Sequence, residues 1–477
     1  MLGTNRLTRS LLALLTIGAL ASVTAAAGSA QPARLGSVVA PTTVILEDDH
    51  GAVCVIFVTH DPHSVPCRNP GSRGYEIVGI PPAPHPPEQV SVANVGDVNG
   101  DGIDDYAIGV PWAEFDGRAA AGVTYVVFGS ATPHEVDLRD LGTQGFRIGG
   151  AAAHSETSMI DQTSTGGARG DVNGDGLDDV LVQSEHTSTL GRKENGAAWV
   201  VYGKADDADV DLATLGSAGM VIDGVSHDDA LPNVSIAGDL NGDGKADLAV
   251  AENPPEVVLG SSSNGEVDLG HLGTRGYEIF GLKPVNGTEP TLAGVGDLNG
   301  DGIDDLFVGK FDDHPSAAFV VYGSKDPKSI NVHHLGAAGF TIDSRLPTSV
   351  LNFGLSAAGL GRVKAGSRPR LVVEDPTSLY VFGAPPHGRL VNLKRTDFGG
   401  YRIAARSLGR TPFDFPRIVV GVGDPDTDAA GGDLLVWWPV VHPERYRDFV
   451  VFGQTSNRNV DLGRLAGRGF EITHTGL

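Results

Sequence analysis

The sequence predicts an all-β protein, a β-propeller of seven four-stranded blades. The first observation is an acidic segment, GDVNGDGIDD at 96–105, which returns with small changes at 170–179, 238–247 and 296–305. The second is a pair of apolar patterns that keep step with it, one ending in an aromatic residue and Gly (VVFG) and one of the form Gly-aromatic-x-Ile. The third is the absence of helical periodicity. Short strand units repeated radially close into a propeller.

Each repeat is predicted to form four short strands. In the unit around the first acidic segment these are VSVANVG before the segment, DYAIGV after it, and then VTYVVFG and FRIGG. The four segments are rich in Val, Ile and aromatic residues and are bounded by Gly, Asn and Asp, which is typical of strands joined by tight turns.

The number of blades follows from the Gly-aromatic-x-Ile pattern, which occurs seven times. The first copy, GYEIVG at 74–79, has no acidic segment before it, but AVCVIFV at 52–58 and TTVILED at 43–49 supply the strands of a first blade. Seven units of about 63 residues then fill the chain from residue 35 to its end. Six blades and an N-terminal hairpin are the alternative.

The first thirty residues have the pattern of a secretory signal peptide. Arg6 and Arg9 precede the apolar run LLALLTIGALASVTAAA, and small residues with plausible cleavage points follow. No later run of about 18 apolar residues is present. The prediction is a signal peptide over 1–30 and a single propeller domain over 31–477, secreted without a membrane span.

The chain has two cysteines, Cys54 and Cys67. In an oxidising compartment they are expected to form a disulfide. A structural disulfide is favoured over a reactive thiol.

The acidic loops have the chemistry of a calcium site. In the pattern D-x-N-x-D-G-x-x-D, side-chain oxygens stand at positions 1, 3, 5 and 9, and position 7 offers its backbone carbonyl. Gly at position 6 permits the sharp bend. This is the front part of an EF-hand-like loop, and oxygen ligands select a hard cation, whereas zinc and copper prefer His and Cys.

Four loops follow this pattern, so four Ca²⁺ ions are predicted. The expected ligands are Asp97, Asn99, Asp101, Ile103 and Asp105 in loop 1; Asp171, Asn173, Asp175, Leu177 and Asp179 in loop 2; Asp239, Asn241, Asp243, Lys245 and Asp247 in loop 3; and Asp297, Asn299, Asp301, Ile303 and Asp305 in loop 4.

Two later repeats depart from the pattern. One carries Arg362, Lys364, Arg368 and Arg370 where acids are expected, so no calcium is predicted there. The other, GDPDTDAAGGD at 423–433, keeps acids at positions 1, 3 and 5, has Ala at position 6 and places its last acid one residue late. It is a possible fifth, weak site. Its ligands would be Asp424, Asp426, Asp428 and Asp433.

The formal net charge of −24 argues against nucleic acid and anionic membranes as partners. The predicted calcium ions account for a large part of this acidity. A monomer is expected.

The segment VANVGDVNGDGIDDYAIGVP at 92–111 resembles the FG-GAP repeat of integrin alpha chains and of secreted bacterial proteins, with Gly109-Val110-Pro111 in place of Gly-Ala-Pro. The resemblance extends over 35–477. It implies a seven-bladed propeller with calcium between the first two strands of a blade, and partners that meet the opposite face. FG-GAP propellers mostly serve adhesion or recognition.

On that topology, three loops are candidates for the ligand-binding face: 111–122, 184–196 and 310–316. Aromatic and Arg side chains on such loops are typical of binding hot spots, although burial against a neighbouring blade is an alternative for Trp112 and Phe311. The candidate residues are Trp112, Phe115, Arg118, His186, Arg192, Lys310, Phe311 and His314.

No common catalytic motif is present: the sequence has no G-x-S-x-G, no HExxH and no phosphate-binding loop. The predicted function is therefore a secreted, calcium-binding module that recognises a cell-surface protein or glycan and is not an enzyme. The alternative is a propeller enzyme that degrades polysaccharides by elimination or hydrolysis.

Overall fold

A computed structural model describes twenty segments of the chain, from residue 43 to residue 473. The segments are 43–47, 53–58, 63–83, 90–158, 170–185, 187–225, 233–252, 254–282, 290–309, 317–343, 357–362, 369–375, 378–385, 390–393, 400–404, 417–421, 434–440, 445–452, 458–465 and 467–473. The predicted signal peptide, residues 1–30, lies outside them.

The strands form seven separate sheets, one for each predicted blade, so the six-bladed alternative is wrong. Within a sheet the long strands are antiparallel and follow one another in chain order. The first strands of blades 4, 5, 6 and 7 contact each other in turn, as expected of the inner strands of a propeller. We number the blades 1 to 7 along the chain.

The long strands are as follows. Blade 1 has β1 (Thr43–Glu47), β2 (Val53–Phe57) and β4 (Gly74–Val78); blade 2 has β5 (Ser91–Gly96), β6 (Asp105–Val110), β7 (Val123–Val127) and β9 (Gly145–Gly149); blade 3 has β10 (Val180–Ser184), β11 (Ala197–Val201) and β13 (Gly219–Asp223); blade 4 has β14 (Val234–Gly238), β15 (Asp247–Val250), β16 (Glu256–Val258) and β18 (Gly276–Phe280); blade 5 has β19 (Leu292–Gly296), β20 (Asp305–Val308), β21 (Ala317–Val321) and β23 (Gly339–Asp343); blade 6 has β24 (Ala357–Arg362), β25 (Pro369–Asp375), β26 (Ser378–Gly383) and β28 (Gly400–Ala404); blade 7 has β29 (Arg417–Gly421), β30 (Leu434–Val440), β31 (Arg445–Val451) and β33 (Gly469–Thr473).

Most of these strands are apolar along their whole length because both faces of a blade are covered by its neighbours. In β2 and β7 every residue is buried. The core is divided into clusters between adjacent sheets, and one of them joins Val95 of blade 2 to Val182 and Trp199 of blade 3. Strands buried on both faces have continuous rather than alternating apolar sequences.

A short strand adds to the outer edge of each sheet. It comes from the segment between the third and fourth strands of the following blade and pairs in parallel with the outer strand, as Val136 does with Ile77 of β4. The short strands are β3 (Val65–Pro66), β8 (Val136–Asp137), β12 (Val210–Asp211), β17 (Glu266–Asp268), β22 (Ile330–Asn331), β27 (Val391–Asn392) and β32 (Val460–Asp461).

Short 3₁₀ helices return the chain from the short strand to the fourth strand. In most repeats an Asp or Asn caps the first of them, as Asp137 does by accepting the Arg139 N–H. These helices are Gly71–Arg73, Leu138–Asp140, Gly142–Gln144, Leu212–Thr214, Gly216–Ala218, Leu269–His271, Gly273–Arg275, Val332–His334, Gly336–Ala338 and Leu462–Arg464.

The same short strand closes the ring. β3 belongs to blade 1 in sequence but pairs with β33, the outer strand of blade 7, with Val65 opposite Ile472. The predicted disulfide is formed: Cys67, directly after β3, is bonded to Cys54 in β2, with their Cα atoms 5.5 Å apart. The bond therefore links the ring-closing strand to the sheet of blade 1.

The disulfide occupies a place where most other blades have an aromatic–aliphatic contact. Cys54 lies opposite the second residue after the glycine that begins the fourth strand, and in blades 2, 3, 5, 6 and 7 the residue at this place is aromatic. The equivalent of Cys67, the residue directly after the short strand, is Leu or Val in these blades. Both members lie in one core cluster in each of these blades. The pairs are Tyr125 and Leu138, Trp199 and Leu212, Phe319 and Val332, Tyr380 and Leu393, and Phe449 and Leu462.

Blade 4 has Glu256 at the aromatic position. Its side chain is 8% exposed, and among the described residues its Oε2 has no hydrogen-bond partner. Burial, together with the charges of Glu252 and Glu278, raises the pKa of Glu256 to about 7. A carboxyl with such a pKa is stable in the fold mainly as the neutral acid.

This carboxyl makes stability depend on pH. Because the folded pKa lies above the unfolded value, its contribution is complete below about pH 4.5 and is lost as the pH rises through about 7. Glu256→Gln is expected to raise the free energy of unfolding at pH 8.5 by up to about 3 kcal/mol and to change it little at pH 4.5. Urea unfolding at the two pH values measures this, with the exposed Glu114→Gln as the control. An equal effect of Glu256→Gln at both values would contradict the assignment.

Candidate metal site

The four acidic loops lie at the same end of consecutive blades. Loop 1 joins β5 to β6, loop 3 joins β14 to β15, loop 4 joins β19 to β20, and loop 2 leads into β10. Because the strands alternate in direction, the link between the third and fourth strands begins at this same end, which we call the loop face. The links between the second and third strands lie at the opposite face.

Backbone hydrogen bonds to the first acid fix the coil of each loop. In loop 1, Asp97 Oδ1 accepts the N–H groups of Gly100 and Asp101 at 2.8 and 3.0 Å, and Oδ2 accepts that of Gly102 at 2.9 Å. Gly100 and Gly102 have φ values of 81° and 88°, which favour glycine. The coil turns around the position-1 carboxylate.

The acids and amides at positions 3 and 5 extend this pattern. Asn99 Oδ1 accepts the Asp101 N–H at 2.8 Å, and Asp101 Oδ1 accepts the Ile103 N–H at 2.8 Å. Loops 2 and 4 repeat these bonds, and loop 3 repeats those to Asp239 and Asp243. The four loops therefore share one backbone coil, although in loop 3 Asn241 Nδ2 donates to Asp247 Oδ1 at 3.3 Å.

The position-9 acid has a second role in the fold. Asp105 is fully buried; its Oδ2 accepts the N–H groups of Val98 and Asn99, and its Oδ1 accepts that of Gly129, just beyond the third strand. Asp179, Asp247 and Asp305 are also fully buried and bond the matching glycines Gly203, Gly260 and Gly323. The sequence pattern suggested a ligand at this position but not the tie to the third strand.

The electrostatics of the loops favour a cation. Burial, with the nearby charges of Asp101 and Asp97, raises the pKa of Asp105 to about 8 against the lowering effect of its backbone hydrogen bonds. Burial also raises the pKa of Asp97, and the charge of Asp101 adds to it. Three carboxylates thus repel one another within nine residues, and a divalent cation relieves this repulsion.

Within the described segments, no three His, Cys, Asp or Glu side chains converge as a formed metal cage. The loop carboxylates instead accept backbone N–H groups. A carboxylate has about four lone-pair sites, so these bonds leave Asp97, Asp101 and Asp105 with acceptor capacity. The all-oxygen donor set fits a hard cation such as Ca²⁺.

One set of contacts was not predicted from the sequence: consecutive loops touch. Asp178, at position 8 of loop 2, accepts the N–H of Asp97 in loop 1, and Asp304 of loop 4 does the same for Asp239 of loop 3. The available signal was the acid at position 8 of GDGLDD and GDGIDD, which loop 3 replaces with Ala246.

On the opposite face, both predicted ligand-face arginines form inter-blade ion pairs. Arg118 Nη2 lies 2.6 Å from Asp211 Oδ1, on the short strand that blade 3 contributes to the sheet of blade 2. Arg192 bonds both oxygens of Asp268 at 2.7 and 2.8 Å and holds the pKa of that carboxyl well below its usual range. Arg118 therefore links blade 2, and Arg192 links blade 3, to the short strand contributed by the next blade.

The aromatic candidates on this face pack against the protein. Trp112 is half-buried, and its Nε1 donates to the Pro81 carbonyl at 3.0 Å. Phe115 is 8% exposed and lies beneath the guanidinium groups of Arg118 and Arg147. The burial of Phe115 was not predicted, and the role of both residues in ligand binding stays a prediction.

The remaining predicted residues lie outside the described segments. They are His186, Lys310, Phe311 and His314 of the ligand-face loops and Asp424, Asp426, Asp428 and Asp433 of the possible fifth calcium loop. Of the basic loop in blade 6, Arg362 and Arg370 lie on β24 and β25.

Seven sheets closed into a ring, with one acidic loop repeated in four consecutive blades, define a repeat β-propeller. The family model of the FG-GAP repeat matches residues 233–268, which include loop 3 and most of blade 4. The chain therefore carries the FG-GAP repeat that the sequence resemblance predicted. No helix in the described segments is long and apolar enough to cross a membrane.

The chain also has a distant similarity to a much longer protein. It is 24% identical over 218 residues to a phosphatidylinositol-glycan-specific phospholipase D of Dictyostelium discoideum. The match covers 43% of this chain and 21% of that protein, so the chain corresponds to about a fifth of the length of this relative.

Proposed function

We propose that this protein is a secreted, calcium-stabilised recognition module that binds a cell-surface protein or glycan. The observation that carries the proposal is the acidic loop, repeated with one backbone coil in four consecutive blades of a ring-shaped scaffold. The disulfide is consistent with secretion, because such bonds persist in oxidising compartments.

Calcium in each loop would be held by the carboxylates at positions 1, 5 and 9, the Asn oxygen at position 3 and the carbonyl at position 7. The ion supplies positive charge at the point where the three carboxylates meet. The residues themselves fix the turn between the first two strands of a blade and, through Asp105 and its equivalents, the end of the third. The loops therefore serve stability, and recognition is assigned to the opposite face.

Exposed apolar side chains support this assignment of the recognition face. Among the described residues five large apolar side chains are exposed, and four of them, Val78, Leu190, Val225 and Phe280, lie at the ends of outer strands or in a connection on the opposite face. Contiguous exposed apolar patches mark binding sites, so these side chains are the ones that a binding experiment should substitute first.

The recognition proposal is tested by binding of the labelled protein to a glycan array and to intact cells. We expect saturable binding that Phe280→Asp or Leu190→Asp reduces at least tenfold. The exposed Asp207→Asn, in the link that leaves the third strand of blade 3 at the loop face, should bind like the wild type. Unchanged binding by both opposite-face variants, with the fold intact, would contradict the assignment of that face.

An enzymatic role is the second candidate, and the relative named above favours it, since that protein is a phospholipase specific for phosphatidylinositol glycans. The test is incubation of the protein with vesicles that carry a glycan-linked phosphatidylinositol, followed by analysis of the released products. A parallel assay with polysaccharides tests the glycan-degrading alternative. We expect no turnover; sustained turnover abolished by an opposite-face substitution would replace recognition with catalysis.

A further inference from the structure

The acidic loops are joined to one another in series. In each described junction, the N–H at position 8 of one loop donates to the carbonyl of the position-1 acid in the preceding loop. The bonds run from Asp178 to Asp97 at 3.0 Å, from Ala246 to Asp171 at 2.8 Å and from Asp304 to Asp239 at 3.0 Å.

Two of the three junctions have a second bond. Asp178 Oδ2 accepts the Asp97 N–H at 2.8 Å, and Asp304 Oδ2 accepts the Asp239 N–H at 3.0 Å. One residue of the next blade therefore bonds both the backbone N–H and the backbone carbonyl of the position-1 acid. Ala246 has no side-chain oxygen and cannot do this between loops 2 and 3.

A glycine before the position-1 acid leaves room for these carboxylates. The residue before the first ligand is Gly96 in loop 1 and Gly238 in loop 3, with φ values of 78° and 90°. A Cβ at Gly96 would lie 2.0 Å from Asp178 Oδ2, and one at Gly238 would lie 2.4 Å from Asp304 Oδ2. No side chain fits there while the carboxylate stays in place.

We propose that Asp178 and Asp304 are positioning residues that couple the acidic loops in two pairs, loop 1 with loop 2 and loop 3 with loop 4. The coupling rests on the proposed calcium function. Asp178 stands between position 7 and position 9 of its own loop, so an ion in loop 2 fixes it from both sides. When Asp178 is held in place, its hydrogen bonds also hold Asp97 in place. Loop 1 then loses less conformational entropy when it binds its own ion. By linkage the effect is reciprocal.

Loops 2 and 3 are the internal comparison. They share the backbone bond from Ala246 but lack the carboxylate bond, so their ions are expected to bind almost independently. The protein would then bind its ions as two cooperative pairs.

The test is calcium titration by calorimetry of a background that keeps loops 1 and 2 only, made by Asp239→Asn and Asp297→Asn. We expect two ions, with the second bound at least fivefold more tightly than the first. Adding Asp178→Ala should leave two ions and abolish this cooperativity. Adding Asp104→Ala, the same change at position 8 of loop 1, should preserve it, because Asp104 bonds Asn94 of its own blade.

A mirror background, with Asp97→Asn and Asp171→Asn, tests loops 3 and 4 through Asp304→Ala if the first background does not fold. Two ions bound without cooperativity in both unmutated pairs would overturn the coupling and leave the calcium function intact. Absence of any calcium binding in the wild type would overturn the calcium function itself, and the coupling with it.

Discussion

Replacing both Cys54 and Cys67 by Ser is expected to lower the free energy of unfolding by about 3 kcal/mol. The disulfide closes a loop of 13 residues in sequence separation, and its position gives the loss a specific location. Cys67 directly follows β3, which pairs with β33 of blade 7. Without the bond, the first and last blades are held at this edge by a two-residue strand and by contacts such as Arg73 over the ring of Phe470.

Thermal unfolding with and without a reductant measures the loss, and hydrogen exchange locates it. We expect faster exchange at β3 and β33 than at β12 and β9, where the same pairing joins blades 2 and 3. A rescue variant, Cys54→Phe with Cys67→Leu, rebuilds the aromatic–aliphatic contact of the other blades and should recover part of the stability. Melting of the double Ser variant at the wild-type temperature would show that ring closure does not depend on the bond.

Removal of calcium is expected to have the largest effect of all. If each loop binds with the Kd of about 10⁻⁴–10⁻³ M typical of extracellular modules, an excess of 100 Kd stabilises the fold by about 2.7 kcal/mol per site. A chelator should therefore lower the melting temperature strongly. Without ions, the buried carboxylates Asp105, Asp179, Asp247 and Asp305 remain beside two other acids each.

A single substitution narrows the test to one loop. Asp171→Asn should remove one ion and the stabilisation of one site, and it should respond less to a chelator than the wild type does. Asp140→Asn, an exposed acid in a 3₁₀ helix, is the matched control for loss of one charge and should behave like the wild type. A chelator response equal in Asp171→Asn and the wild type would argue against an ion in loop 2.

The sequence was sufficient to predict the number of blades, their strands and the disulfide, because each follows from local pattern: apolar runs with turn residues between them, and two cysteines in a chain with a signal-peptide pattern. The shared conformation of the acidic loops also follows locally, since Asp97 bonds residues three to five positions away and the glycines permit the coil.

Contacts between blades could not be predicted in this way. The short strand Val136–Asp137 belongs to blade 2 in sequence but pairs with blade 1, a partner that no local periodicity indicates. Arg118 has the composition of a binding hot spot, and only the fold brings it to Asp211. The tie between Asp178 and Asp97 joins residues 81 positions apart. In a propeller, some residues that the sequence places on the surface therefore form contacts between blades, and only the fold identifies them.

We expect each of the four acidic loops to hold one calcium ion. The most direct measurement is the calcium content of the purified protein, taken by native mass spectrometry and by calorimetric titration after treatment with a chelator. We expect four ions per chain and an increase in melting temperature as they bind. A protein that folds, binds no calcium at millimolar concentration and melts at the same temperature with and without it would contradict calcium binding by these loops.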